Sequence, residues 1–117
     1  MGYTIGQISD ETGLSIHTLR YYEKEGILPI VGRNESGIRI YSEDNLELLR
    51  FICCLKTTGM PITQIKKFAD LILQGDATIE ERIEMLNNQK KSIQEQVDQL
   101  NSYKDMLDKK VDYYRSK

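Results

Sequence analysis

The stretch LSIHTLRYYEKEGIL, residues 14–28, follows directly on the tripeptide Glu-Thr-Gly. Two short segments joined by a Gly-containing turn, the second carrying Ser, His, Thr, Arg, Tyr and Lys, are typical of a helix-turn-helix. Leu19 and Tyr22 repeat at helical spacing, which predicts that they pack inward, while Arg20 and Lys24 share another face. The outer face would be free to contact a ligand.

The residues before this stretch predict a first helix. Thr4 with Gln7 three residues later is a capping-box signal, and Ile8 would face a core. Gly13 would end this helix, and Ser15 would cap the second. The two helices would therefore be separated by a turn of only a few residues.

Composition sets limits on the rest of the protein. The chain has 117 residues, 39% of them hydrophobic, which supports one small domain plus an extension. Its formal net charge of −2 argues mildly against a nucleic-acid binder, so DNA binding would depend on individually placed contacts. The sequence lacks a secretory leader and any apolar run of membrane-spanning length, which predicts a cytoplasmic protein.

After the second helix the pattern changes. Residues 30–41 contain two short β-favouring runs around a turn at 34–37, which predicts a small hairpin, or wing. Ser42 would cap a third helix, and Pro61 would open a fourth. The fourth helix carries an apolar stripe made of Ile62, Ile65, Ala69 and Ile72.

The C-terminal part carries a heptad pattern. A capping box at Thr78 with Glu81 would open a long helix with apolar residues in steps of three and four. Lys90 and Lys104 interrupt the apolar stripe at a positions. Because the preceding residues are too few to cover such a stripe, we expect self-association through Ile79, Ile83, Leu86, Ile93, Val97, Leu100, Leu107, Val111 and Tyr114.

A family resemblance rests on three blocks in this order: TIGQISDETGLSIHTLRYYEKEGIL at 4–28, GRNESGIRIYSEDNLELLRFI at 32–52 and LKTTGMPITQIKKF at 55–68. With the long heptad helix, these blocks resemble the MerR family of bacterial transcription regulators. The resemblance implies a winged helix-turn-helix and an antiparallel coiled-coil homodimer that sets two heads on inverted-repeat half-sites of promoter DNA. It further implies activation by bending and untwisting the promoter spacer for RNA polymerase.

The resemblance also assigns site residues. In the wing, Ile38 stands where the commoner family pattern has Tyr, whose hydroxyl could contact a DNA phosphate. Ile38 has no hydroxyl for that contact. Tyr22 is better interpreted as a core residue. Tyr41 could be core or contact. The residues that look like DNA contacts are Ile16, His17, Thr18, Arg20, Tyr21, Lys24, Arg33, Arg39 and Tyr41.

Two adjacent cysteines, Cys53 and Cys54, form the other candidate site. Because they are adjacent, they cannot close a loop through a disulfide bond. They resemble a branch of the family that answers aldehydes or oxidative and nitrosative stress through a thiol. On a helix, Cys54 would lie over Glu47 and Arg50 on a polar face, whereas Cys53 would lie over leucines on a core-like face. Cys54 is therefore the better candidate sensor. An equally open interpretation is that both cysteines act as small hydrophobic residues and fill the core.

The overall prediction is a mainly α protein: a winged helix-turn-helix with a small β-hairpin over residues 1–75 and a coiled-coil dimerisation helix over 76–117. No metal site is expected, because no Cys or His follows Cys54, and no cofactor is implied. An enzyme is disfavoured, because the one histidine lies far from the thiols in sequence. The alternative function is a coiled-coil adaptor, or an architectural DNA-binding protein without an effector response.

Overall fold

The computed structural model describes residues 2–28 and 31–117. Within these residues one two-stranded hairpin lies between the second and third helices, and most of the described chain is helical. The elements are α1 (Ile5–Thr12), α2 (Ile16–Lys24), β1 (Gly32–Arg33), β2 (Arg39–Ile40), α3 (Glu43–Thr57), α4 (Ile62–Leu73), a 3-10 turn (Asp76–Thr78) and α5 (Ile79–Arg115).

The helix-turn-helix forms as its capping signals predict. The Gln7 amide donates to Oγ1 of Thr4 at 3.1 Å, and the Thr4 amide donates to Oε1 of Gln7 at 2.9 Å. Gly13 ends α1 at a φ of 75°, a conformation that costs glycine little because it has no Cβ. Oγ of Ser15 accepts from the Thr18 amide at 3.1 Å and caps α2.

The wing is an antiparallel hairpin in which Gly32 pairs with Ile40 and Arg33 with Arg39. Its turn is held by Asn34, whose Oδ1 accepts from the Ser36 and Ile38 amides at 2.9 and 3.0 Å. Its strands are shorter than the predicted runs, and Ile30, where the predicted hairpin begins, lies outside the described residues.

Helices α3 and α4 complete the core of the head, the part of the described chain that precedes α5. Ser42 and Asn45 form a capping box at the start of α3. In α4, the predicted stripe is confirmed at Ile65 and Ala69, but Ile62 is 36% exposed. The buried residues of the head include Ile8, Leu19, Tyr22, Leu46, Leu49, Ile52, Leu55, Ile65 and Phe68.

The predicted capping box at the start of α5 is wrong. The Thr78 hydroxyl does not cap the helix; it donates to the carbonyls of Leu71 and Gly75, and its Oγ1 accepts from Nε of Arg82 at 3.1 Å. Glu81 instead lies 3.7 Å from Nζ of Lys67, so its carboxylate is drawn away from the Thr78 amide. The corner between α4 and α5 is therefore fixed by contacts with α4, with the turn before α5 and with Arg82.

Helix α5 extends well beyond the head. Its 37 residues span about 55 Å at about 1.5 Å per residue, and the whole molecule measures 72 × 34 × 22 Å. Met85 and Leu86 pack against the core, whereas Leu100 and Leu107 are 66% and 68% exposed. The predicted fold, a winged helix-turn-helix followed by a long C-terminal helix, is confirmed.

Candidate nucleic-acid interface

Helix α2 has one buried and one open face. Leu19 and Tyr22 are 0% and 1% exposed, which confirms that Tyr22 belongs to the core. Thr18 is half-buried, and its Oγ1 accepts from Oγ of Ser15 at 2.9 Å. The other predicted contact residues of the helix lie together on the exposed side: Ile16, His17, Arg20, Tyr21 and Lys24.

The two wing arginines have different surroundings. Arg33 is exposed, and its Nη1 donates to the Gly37 carbonyl at 2.8 Å across the turn. Arg39 is half-buried, with its Nε 2.6 Å from Oε2 of Glu23 on α2. The Nε–H is not aligned as a regular hydrogen bond, so we describe this contact as an ion pair. It joins the wing to α2.

The Arg39 ion pair affects its neighbourhood. Contact with the Glu23 carboxylate raises the pKa of Arg39 above its ordinary value, so the guanidinium stays charged. Tyr41 is 0% exposed, and its hydroxyl has no hydrogen-bond partner among the described residues. Burial is the main cause that raises its pKa. Of the two interpretations left open for Tyr41, the structure places its ring in the core beneath the wing and not on the surface.

A second ion pair lies at the C-terminal end of α2. Nζ of Lys66 on α4 donates to Oε1 of Glu25 at 2.6 Å. This hydrogen bond lowers the pKa of Glu25 and raises that of Lys66. Neither this pair nor the Glu23–Arg39 pair was found from the sequence, because nothing in local spacing indicates partners 41 or 16 residues apart.

The two cysteines lie in the last turns of α3 and are free thiols. Cys54 is exposed and Cys53 is half-buried, as the helical reading predicts. Burial raises the pKa of Cys53, which disfavours its thiolate. Arg50, which from the sequence was a neighbour of Cys54, has its Nη2 3.1 Å from Oε2 of Glu11 on α1. That arginine is therefore held by another helix.

Cys54 lines a groove of about 240 Å³ between α3 and α5. The Gln89 and Gln96 side-chain amides donate to the Thr58 carbonyl at 3.1 and 2.7 Å, which ties the end of α3 to α5. The thiol is therefore at the junction of the head and the long helix. The groove is lined by Phe51, Cys54, Leu55, Thr58, Leu86, Gln89, Lys90 and Ile93.

Residues 2–28 and 31–117 contain neither a cluster of metal-ligating side chains nor a membrane-spanning helix. No group of three or more His, Cys, Asp or Glu side chains in these ranges could hold a metal ion. Within the same part of the chain, no helix is both long and apolar enough to cross a bilayer.

Two family profiles match the sequence. One is described as MerR HTH family regulatory protein and covers residues 3–71, and the other, described as MerR, DNA binding, covers 46–110. An uncharacterized HTH-type transcriptional regulator of Haemophilus influenzae is 46% identical over 92 residues, 79% of this chain and 68% of that protein. AdhR of Bacillus subtilis is 37% identical over 87 residues, 74% of this chain but only 62% of AdhR.

Solved structures give the same result. The crystal structure of HiNmlR, a MerR family regulator lacking the sensor domain and bound to promoter DNA, superposes with a TM-score of 0.90 at 42% identity, covering 99% of this chain and 92% of that one. A MerR family regulator from Bacillus thuringiensis gives 0.84 at 39% identity, covering 95% and 97%. The chain belongs to the MerR family of helix-turn-helix transcriptional regulators, which are DNA-binding proteins and not enzymes.

Proposed function

We propose that this MerR family regulator binds inverted-repeat half-sites in a promoter as a homodimer and activates transcription by deforming the DNA between them. The observation that carries the proposal is the exposed polar face of α2, with the wing held beside it through the Glu23–Arg39 pair. An α-helix fits the major groove, and an adjacent hairpin with arginines can reach the phosphate backbone. A regulator of promoter DNA would act in the cytoplasm, and we include that location in the proposal because free thiols stay reduced there.

The homodimer is supported by the uncovered part of α5. A single chain leaves Val97, Leu100, Leu107 and Val111 between 43% and 68% exposed along one stripe. Such a stripe, sustained over several heptads, is typical of a coiled-coil seam and costs free energy when it faces water. A second copy of the chain offers a stripe of the same length.

Two lysines favour an antiparallel pair. In a parallel pair in register, Lys90 and Lys104 would each face their own copy in the seam, which places like charges together. In an antiparallel pair, a positions face d positions, so each lysine stem lies against an apolar side chain while its ammonium reaches water. Antiparallel pairing also sets the two heads at opposite ends, where they can span two half-sites.

The proposed antiparallel geometry supports activation by DNA deformation. Two heads fixed on one long coiled coil hold a set separation, so DNA between the half-sites has to adapt to the protein. Bending and untwisting cost energy that the phosphate contacts offset, and the deformed spacer would present both promoter elements to RNA polymerase in phase. HiNmlR, at 42% identity, was crystallised bound to promoter DNA.

The test of DNA binding is a titration against duplex DNA carrying an inverted repeat, taken from the promoter of the protein's own or a neighbouring gene. We expect binding that weakens as salt rises, because phosphate contacts release counterions. The control is a duplex of equal length in which one half-site is scrambled, which should bind more weakly. Equal binding to both duplexes would contradict sequence-specific recognition and favour an architectural protein.

We further propose that modification of Cys54 switches the activity. Its thiol is exposed in the groove where α3 meets α5, so an adduct there would push on the junction between head and dimer helix. Reactive electrophiles such as aldehydes form adducts with accessible thiolates, and a half-buried thiol with a raised pKa such as Cys53 is a poorer nucleophile.

In transcription assays in vitro, we expect Cys54→Ser to keep promoter binding and to lose activation by a small aldehyde, because serine has nearly the same size without the thiolate. Cys53→Ser is the matched control and should respond like the unaltered protein. A normal aldehyde response in the Cys54→Ser protein would remove this residue as sensor and favour the alternative of a regulator or architectural protein without an effector response.

A further inference from the structure

One arginine holds the corner where α4 meets α5. Arg82, in the first turn of α5, donates from Nη2 to the Gly75 carbonyl at 2.7 Å and from Nε to Oγ1 of Thr78 at 3.1 Å. The Thr78 hydroxyl in turn donates to the Leu71 carbonyl of α4 at 2.5 Å. Arg82 therefore connects α5 to α4 through Thr78 and to the turn after α4 through Gly75.

The surroundings of this contact suit a guanidinium. Carbonyls at the C-terminal end of a helix lack regular helical partners and carry partial negative charge. A guanidinium offers two N–H donors in fixed directions, whereas the ammonium of lysine is a point charge on a flexible stem. Thr78 is 8% exposed and Arg82 is half-buried. The ion pairs among the described residues do not include Arg82, so its charge serves the corner.

The corner is one of two points at which directional bonds attach α5 to the head. The other is the Thr58 carbonyl, which accepts from Gln89 and Gln96. Arg82 and Gln89 are seven residues apart, about 10 Å along the helix at about 1.5 Å per residue. The apolar contacts between the two points are not directional and tolerate a small rotation. A rigid helix attached at one point can pivot, whereas attachment at two points fixes its direction.

The direction of α5 matters for DNA binding. In the proposed homodimer, each head joins the paired helices at this corner, so the angle between head and α5 sets how far apart the two α2 helices lie. Successive base pairs are about 3.4 Å apart along the duplex. A change of a few ångströms in the separation of the heads is therefore equivalent to a change of one base pair in the spacing of the half-sites.

We infer that Arg82, through Thr78 and the Gly75 carbonyl, is a positioning residue that fixes the angle between the head and α5 and thereby selects the spacing of the half-sites. This inference rests on the proposed binding of inverted repeats by a homodimer and adds the residue that determines which spacing is bound. Arg82 acts through the direction of α5, and the contacts of α2 with DNA do not depend on it.

The test measures affinity for inverted-repeat duplexes with the natural spacing and with spacings shortened or lengthened by one base pair. The unaltered protein is expected to prefer the natural spacing by at least about tenfold, because DNA has to deform to fit heads at a fixed separation. Arg82→Met keeps an apolar stem and removes both donors, so it should reduce this preference to about twofold or less. Arg82→Lys, which keeps the charge but not the two fixed donors, should also reduce it.

Glu81→Gln is the matched control. It breaks the other contact across this corner, the 3.7 Å pair with Lys67, in which both side chains are exposed. Exposed pairs contribute little to holding two helices together. This variant should therefore keep the preference of the unaltered protein for the natural spacing.

A duplex with one half-site scrambled separates a changed angle from a damaged head. All four proteins should bind it alike, because the contacts of a single head do not depend on the angle. The inference is overturned if both Arg82 variants keep the spacing preference, or if both lose affinity for this duplex, since Arg82 would then support the head itself. An unaltered protein with no spacing preference would instead contradict the proposed binding of two half-sites by a homodimer.

Discussion

Leu49→Ala is expected to lower the free energy of unfolding by about 2–5 kcal/mol, the range for removing a buried leucine side chain from a packed core. Leu49 is 0% exposed and lies in the same core cluster as residues from α1 and α2. The cavity left by alanine would remove contacts from the core that supports α2. Since small domains are stable by only about 5–15 kcal/mol, this change takes a large part of the total.

Urea unfolding followed by circular dichroism measures this loss. The protein concentration has to be the same for all variants, because dimerisation makes the apparent stability depend on it. Leu73→Ala is the matched control: this leucine is 51% exposed at the end of α4, so its loss should change stability by no more than about 0.5 kcal/mol. Equal stability of the two variants would mean that Leu49 does not lie in the core.

The sequence predicted the fold well where the signals were local. Thr4, Ser15 and Ser42 cap helices through bonds to residues three positions away, and such bonds can be read from spacing. The capping box expected at Thr78 failed for the opposite reason. Its hydroxyl and the Glu81 carboxylate find partners on α4 and in the preceding turn, and these contacts exist only once the chain has folded.

The candidate site shows the same division. Helical periodicity separates the exposed Arg20 from the buried Tyr22, and it separates Cys54 from Cys53. It could not indicate that Arg39 is held by Glu23, since that contact depends on how the wing folds back on α2. Nor could it place Cys54 in a groove with α5, because residues 54 and 90 meet only through the corner between α4 and α5.

Arg20→Ala is expected to weaken binding to the inverted-repeat duplex by about 5- to 150-fold, corresponding to about 1–3 kcal/mol for an arginine that contacts DNA directly. Arg20 is exposed on the open face of α2, and the ion pairs among the described residues do not include it. Its guanidinium can therefore contact DNA without first breaking an internal contact, unlike Arg39 with its Glu23 partner.

Fluorescence anisotropy at several salt concentrations measures the effect and identifies its kind. A contact to a phosphate lowers affinity alike on specific and scrambled duplexes and reduces the salt dependence, whereas a contact to a base edge lowers the preference for the specific duplex. Arg50→Ala removes the same charge from α3, where the side chain is paired with Glu11, so it controls for the loss of a positive charge. If both variants bind as tightly as the unaltered protein, α2 does not read the DNA through Arg20. If both weaken equally, net charge and not placement accounts for the loss.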